Sequence, residues 1–193
     1  HDPELKTAKE ACRRYNYPYE TADSFDATRR DYRGIHTIMS GSNAMDYWGA
    51  DELKADAAFQ NIDAFVRAGG HLIVTGSFNG RNNDHLKRYG ITAGSSHNSF
   101  FQPTEATAAL FRGIEAIVPK DRKMRSAGHF TCSQPHTVLL ARGEGAGPGE
   151  PALITLSVGK GRVTFTLCEP EWQNDLWLVD VLIHWTLRGA PTE

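Results

Sequence analysis

Between Ala58 and Gly80 the apolar positions follow first one period and then another. Phe59, Ile62, Phe65 and Val66 recur at the spacing of one helical face. Gly69-Gly70 follows, and glycine most readily takes the left-handed conformation that closes a helix. His71 to Thr75 is then a short apolar, partly β-branched run without alternation, the pattern of a strand buried on both faces. Gly76 to Gly80 ends it in small and turn-forming residues. This stretch predicts a helix laid on a parallel sheet and a tight loop at the strand's carboxyl end. In open α/β sheets that edge is where ligands bind.

The same reading extends along the chain. Asp2 and Pro3 open a helix whose face is Leu5, Ala8, Ala11, Cys12 and Tyr15. Such a helix usually follows a strand, so a first strand is expected upstream of His1 or is missing. Tyr17 to Ala22 reads as a strand despite Pro18, and Ser24 to Arg33 as a short helix or loop. Ile35 to Ser40 reads as the next strand, ending in Gly41-Ser42-Asn43, and Asp51 starts the central helix. Asp84 to Tyr89 suits a short helix, Ala93 to Pro103 an irregular loop, and Thr104 caps a helix over Glu105 to Phe111. Pro119 to Pro135 has no period. Val138 to Ala141 reads as a strand, and Gly143 to Pro151 as an exposed loop. Ala152 to Val158 and Arg162 to Cys168 form a hairpin through Gly159-Lys160-Gly161. Asn174 caps a final helix with Leu176, Val179, Leu182, Ile183 and Leu187 buried.

Composition narrows the function classes. The chain has 193 residues, 40% of them hydrophobic and 23% charged, as in one globular domain. No repeat and no second domain is visible. A net charge of -2 gives no general attraction to nucleic acid or an anionic membrane, and no apolar run is long enough to span a bilayer. Cys12, Cys132 and Cys168 have neither a framework count nor CxxC spacing. His1 in place of Met suggests a processed or excised chain, which leaves an exported or periplasmic location open.

AFVRAGGHLIVTGSFNG, the helix opened by Thr104, and EPALITLSVGKGRVTFTLCEPEW together resemble the class I glutamine amidotransferase-like superfamily. Within it the chain is most similar to the ThuA-like, trehalose-utilisation branch. The trimerisation domains of some β-galactosidases share the pattern of proline, strand, Gly-Lys-Gly-Arg, strand. The resemblance covers Ile35 to Gly189. It implies a single α/β domain over residues 1–193, a flavodoxin-like three-layer sandwich whose sheet is mostly parallel with a late antiparallel hairpin.

Active amidotransferases carry G-x-C-x-G after the central strand, with the cysteine as nucleophile on a strained elbow. The matching positions here are Gly76, Phe78 and Gly80, and a phenyl ring is no nucleophile. The family's His-Pro-Glu motif is matched by Glu169-Pro170-Glu171, so the base is also gone. Glutamine hydrolysis by this route is therefore not expected. Ser77 is a displaced hydroxyl, better explained as a turn serine bonded to backbone.

Glu169 and Glu171 are the remaining catalytic candidates, as an acid/base pair if one pKa is raised. With Trp172 beside them they equally suit a sugar, carboxylates taking hydroxyls and the indole a C–H face. Capping of a loop is the plainer role. Ser42, Asn43, Ser77, Phe78, Asn79 and His97 are the further ligand-binding candidates, on loops that the sheet would position. Tyr47-Trp48 could line a pocket or cover a helix turn. His129, Cys132 and His136 match no strong zinc pattern, and neither a metal nor a cofactor is expected. Gly159-Lys160-Gly161-Arg162 lacks the spacing of a phosphate cradle.

The leading expectation is a non-amidotransferase ThuA-like domain, a binding or accessory module for a small carbohydrate-related ligand. The alternatives are a carbohydrate-active hydrolase using Glu169 and Glu171, and a structural or oligomerisation domain that makes a homo-oligomer.

Overall fold

A computed structural model describes residues 3–21, 30–40, 52–76, 86–93, 99–116, 125–126, 130–142, 150–168 and 176–188. In chain order the elements are α1 (Pro3–Arg14), β1 (Thr37–Ser40), α2 (Glu52–Ala68), β2 (His71–Val74), β3 (Ile91–Ala93) and β4 (Ser99–Pro103). Then come α3 (Thr107–Phe111), β5 (Arg125–Ser126), β6 (Phe130–Cys132), β7 (Thr137–Arg142), β8 (Pro151–Val158), β9 (Gly161–Thr166) and α4 (Trp177–Leu187).

The chain is an α/β protein. A seven-stranded sheet has the order β1-β2-β9-β8-β7-β4-β5, and β3 pairs with β6 in a small antiparallel sheet. β1 and β2 are adjacent and parallel, with Thr37 opposite His71 and Ser40 opposite Val74, as their apolar patterns predict. β9 lies parallel on the other side of β2. From β9 outward, β8, β7, β4 and β5 each pair antiparallel with their neighbour. The expected late hairpin is therefore present, and antiparallel pairing reaches further across the sheet than the sequence pattern indicates.

Both faces of the sheet carry an apolar cluster, since successive side chains along a strand point to opposite faces. On one face Leu72, Val74, Val163 and Phe165 meet Phe59, Ile62, Phe65 and Val66 of α2. On the other, Ile73, Leu153 and Cys168 meet Leu178, Val181 and Leu182 of α4 and Leu110 and Phe111 of α3. α1 lies against α4 through Ala11, Cys12, Val179 and Ile183.

The turn between β8 and β9 is seated on the end of α2. The Lys160 N–H donates to the Arg67 carbonyl at 3.1 Å and the Arg162 N–H to the Gly70 carbonyl at 3.1 Å. Gly161 has no side chain because a Cβ there would stand 2.1 Å from the Val66 carbonyl oxygen. The glycines of Gly159-Lys160-Gly161 thus serve a close backbone approach.

Two segments depart from the pattern reading. Tyr17 to Thr21 is not a strand. Asn16, at φ 57, closes α1, with the Asn16 N–H on the Arg13 carbonyl and the Tyr17 N–H on the Cys12 carbonyl. This is the paired bonding of a Schellman end, and Tyr17 folds back against the α1–α4 cluster. The apolar residue after a helix end mimics the start of a strand. The second departure is Ala93 to Pro103, which contains β4 rather than loop alone. Thr104 accepts the Ala106 N–H and donates to the Val138 carbonyl, so it holds the entry to α3, while the residue at the cap itself is Ala106. Asn174 and residues 143–149 lie outside the described residues.

Candidate functional site

Three parallel strands end side by side. The Thr75 N–H, just past β2, donates to the Ser40 carbonyl at the end of β1 at 3.1 Å. The Gly76 N–H donates to the Thr166 carbonyl at the end of β9 at 3.2 Å. Cys168 follows, its N–H on Thr166 Oγ1, and that hydroxyl donates to the Ala152 carbonyl. Ser40, Gly76 and Cys168 therefore mark one edge, from which the segments after all three strands depart. Parallel pairing dictates this, because it puts every carboxyl end on the same side.

At that edge Ser40 is 4% exposed, and its Oγ has no hydrogen-bond partner. An unpaired buried hydroxyl costs about 1–3 kcal/mol. Gly76 has φ 111, a backbone conformation that favours glycine and turns the chain sharply off β2. The sequence reading did not single out Ser40. A serine closing an otherwise apolar strand was the available signal.

Ser42, Asn43, Ser77, Phe78, Asn79, His97, Glu169, Glu171 and Trp172 lie outside the described residues, as do Tyr47, Trp48 and His129. Cys132 Sγ faces the Tyr89 and Gln134 carbonyls, and His136 Nδ1 is 2.8 Å from the Gln134 carbonyl. Burial pushes the Cys132 thiol up, away from the thiolate that nucleophilic or metal chemistry uses. Among the described residues no three His, Cys, Asp or Glu side chains form a metal cluster. No described helix is long and apolar enough to cross a membrane.

A second polar group, also missed, stands at the other end of the same strands. His71 is 2% exposed, with Nε2 2.7 Å from Thr164 Oγ1 and Nδ1 unpartnered. Burial, then the charges of Arg162 and His36, push its pKa down to about 3. The Trp185 ring meets His71 edge-on at 5.9 Å, and the Arg162 guanidinium lies 5.0 Å from the Trp185 centroid. The visible signal was a histidine and an arginine heading two apolar strands.

No protein-family model matches this chain, and no curated protein does. Solved structures do. A β-galactosidase from Rahnella sp. R3 matches with TM-score 0.61 and 15% identity, over 96% of this chain and 26% of that one. A cytoplasmic protein of Salmonella typhimurium LT2 matches with TM-score 0.65 and 13% identity, over 95% of this chain and 87% of that one. An exo-β-1,4-mannosidase from Opitutaceae bacterium strain TAV5 matches with TM-score 0.56 and 12% identity, over 96% and 30%. The chain thus spans about a quarter of the β-galactosidase and most of the Salmonella protein. Likeness at this identity shows the fold alone, since one fold hosts many chemistries.

Proposed function

We propose that the chain is a non-amidotransferase domain of the ThuA-like kind, a flavodoxin-like three-layer sandwich that binds a carbohydrate-related ligand. The observation that carries the reading is the shared carboxyl edge of β1, β2 and β9, with the unpartnered hydroxyl of Ser40 on it. The segments leaving that edge carry Ser42 and Asn43, then Ser77, Phe78 and Asn79, then Glu169, Glu171 and Trp172. His97 belongs to a later loop. Hydroxyl and amide groups, two acceptor carboxylates and an indole suit a neutral polyol, while Glu169 and Glu171 disfavour a strongly anionic ligand. With Phe78 and Glu169 where a nucleophile and base would stand, the reading is binding rather than amide hydrolysis.

Calorimetry against a panel of neutral sugars tests this. Trp172→Ala should weaken the tightest sugar by about 1–2 kcal/mol, the scale of a lost aromatic contact, with circular dichroism unchanged. Turnover of aryl glycosides lost in Glu169→Gln or Glu171→Gln would instead favour the hydrolase. A structural or oligomerisation role is the other reading, favoured by the way the fold recurs as a fraction of longer glycosidase chains. No sugar binding, together with self-association in sedimentation, would leave that one standing.

A further inference from the structure

At the amino-terminal ends of β2 and β9 the sheet face toward α4 is polar instead of apolar. His71 is the register partner of Arg162, Arg162 stands opposite Ser157 on β8, and Thr164 stands opposite Thr155. Residues so paired, or two apart on one strand, share a face. The row thus holds one guanidinium, one imidazole and three hydroxyls, and Trp185 from the last turn of α4 stands over it.

Charge on this row is unbalanced. Arg162 is half-buried, and burial alone draws its pKa below the ordinary range. No carboxylate among the described residues pairs with it. Removing a guanidinium from water without a counter-ion is unfavourable, and an arriving anion offsets that cost. His71 stays neutral at physiological pH and adds no second charge. One fixed cation matches a monoanion better than a dianion, and the planar fork of arginine matches a carboxylate through two parallel bonds.

The geometry points to a small-carboxylate site at Arg162, bordered by the Trp185 indole and the exposed Ser157, while the Thr164 hydroxyl, fully buried and bonded to His71 and Thr155, forms the floor beneath it. It lies at the opposite strand ends from the sugar edge and stands or falls independently of it. The cation–π contact already holds the guanidinium on the indole, so the site is preorganised, and a ligand has little ordering left to do.

The full chain, labelled with nitrogen-15, is titrated with sodium acetate while the Arg162 Nε–H and Trp185 indole N–H resonances are followed. Parallel titrations use sodium chloride at matched ionic strength and inorganic phosphate. The expected result is a saturable shift of both resonances with acetate and none with chloride. Acetate affinity should fall by at least about tenfold in Arg162→Ala and by less in Arg162→Lys, which keeps the charge and loses the fork. Chloride shifts equal to those of acetate, or phosphate binding tighter than acetate, would overturn the assignment. So would acetate shifts of the Trp185 indole that persist in Arg162→Ala. Should Arg162→Ala fail to fold by circular dichroism, Arg162→Lys decides, and unchanged acetate affinity there overturns the site.

Discussion

His71 makes folding stability depend on pH. Its imidazole is neutral in the folded protein down to about pH 3, against an ordinary value of 6.5. Protonation therefore favours the unfolded chain. The contribution is fully present above 6.5 and is lost progressively as the pH falls toward 3, amounting to about 2 kcal/mol by about pH 5. His36 and His184 are also lowered, mainly by burial, and add to the slope in the same direction. Urea unfolding at neutral pH and at about pH 5 should show a clearly smaller loss in His71→Gln than in the unmodified protein. Equal losses would mean that His71 reaches water. A second residue-scale prediction contrasts two glycines. Gly161→Ala would force a methyl to 2.1 Å from the Val66 carbonyl oxygen and 2.2 Å from that of Gly70. Both obstacles are backbone, so about 2–4 kcal/mol should be lost. At Gly34 a Cβ meets nothing within 4 Å, and only φ +78 opposes it. Gly34→Ala should cost about 1 kcal/mol. Denaturant midpoints in the reverse order would contradict the seating of the hairpin turn on α2.

Among the elements, α1 is held to α4 by an apolar stripe and one ion pair. Arg14 Nη1 pairs with Asp180 Oδ2, while Asp180 is 6% exposed and its Oδ1 has no partner. Removing the arginine leaves a buried carboxylate one partner short. Arg14→Ala should therefore destabilise by about 1–3 kcal/mol, well beyond Arg13→Ala, whose side chain lies over the Tyr19 ring. Equal effects of the two variants would mean that the apolar stripe alone fixes α1. This scale also shows where the sequence was readable. α2, β2, β8 and β9 were foreseen because each carries a regular apolar pattern with a glycine at one end. Tyr17 was misread because a residue folding back over a helix end is as apolar as one entering a strand. β4 was missed because Ser99 to Pro103 mixes polar, aromatic and proline residues, and its pairing with β7 is a tertiary choice that no local period records.

For the whole molecule, the edge formed by β1, β2 and β9 followed from the predicted parallel strands, since alignment of their ends is a consequence of topology. Its chemistry was less legible. Ser40 and the row around Arg162 depend on which groups lack partners, and that is a property of packing, absent from any one segment. At this scale the expectation is that the protein releases no ammonia from glutamine above background in a coupled dehydrogenase assay, because Phe78 and Glu169 occupy the matching positions. Turnover abolished by Ser77→Ala would place the nucleophile one residue earlier.

The contact of α1 with α4 has a consequence for how the protein is made. Ala11 and Cys12 belong to the first helix, and their partners Val179 and Ile183 to the last described one. Likewise β2 finds its neighbour β9 only after the intervening strands have been synthesised. A chain emerging from the ribosome therefore carries an uncovered apolar helix face until α4 follows and a strand with an open edge until β9 follows. Such species recruit chaperones or aggregate. α4 completes the packing: a nascent chain halted before Trp177 has β9 available to β2 but leaves the α1 face and the sheet face that α4 covers open to water.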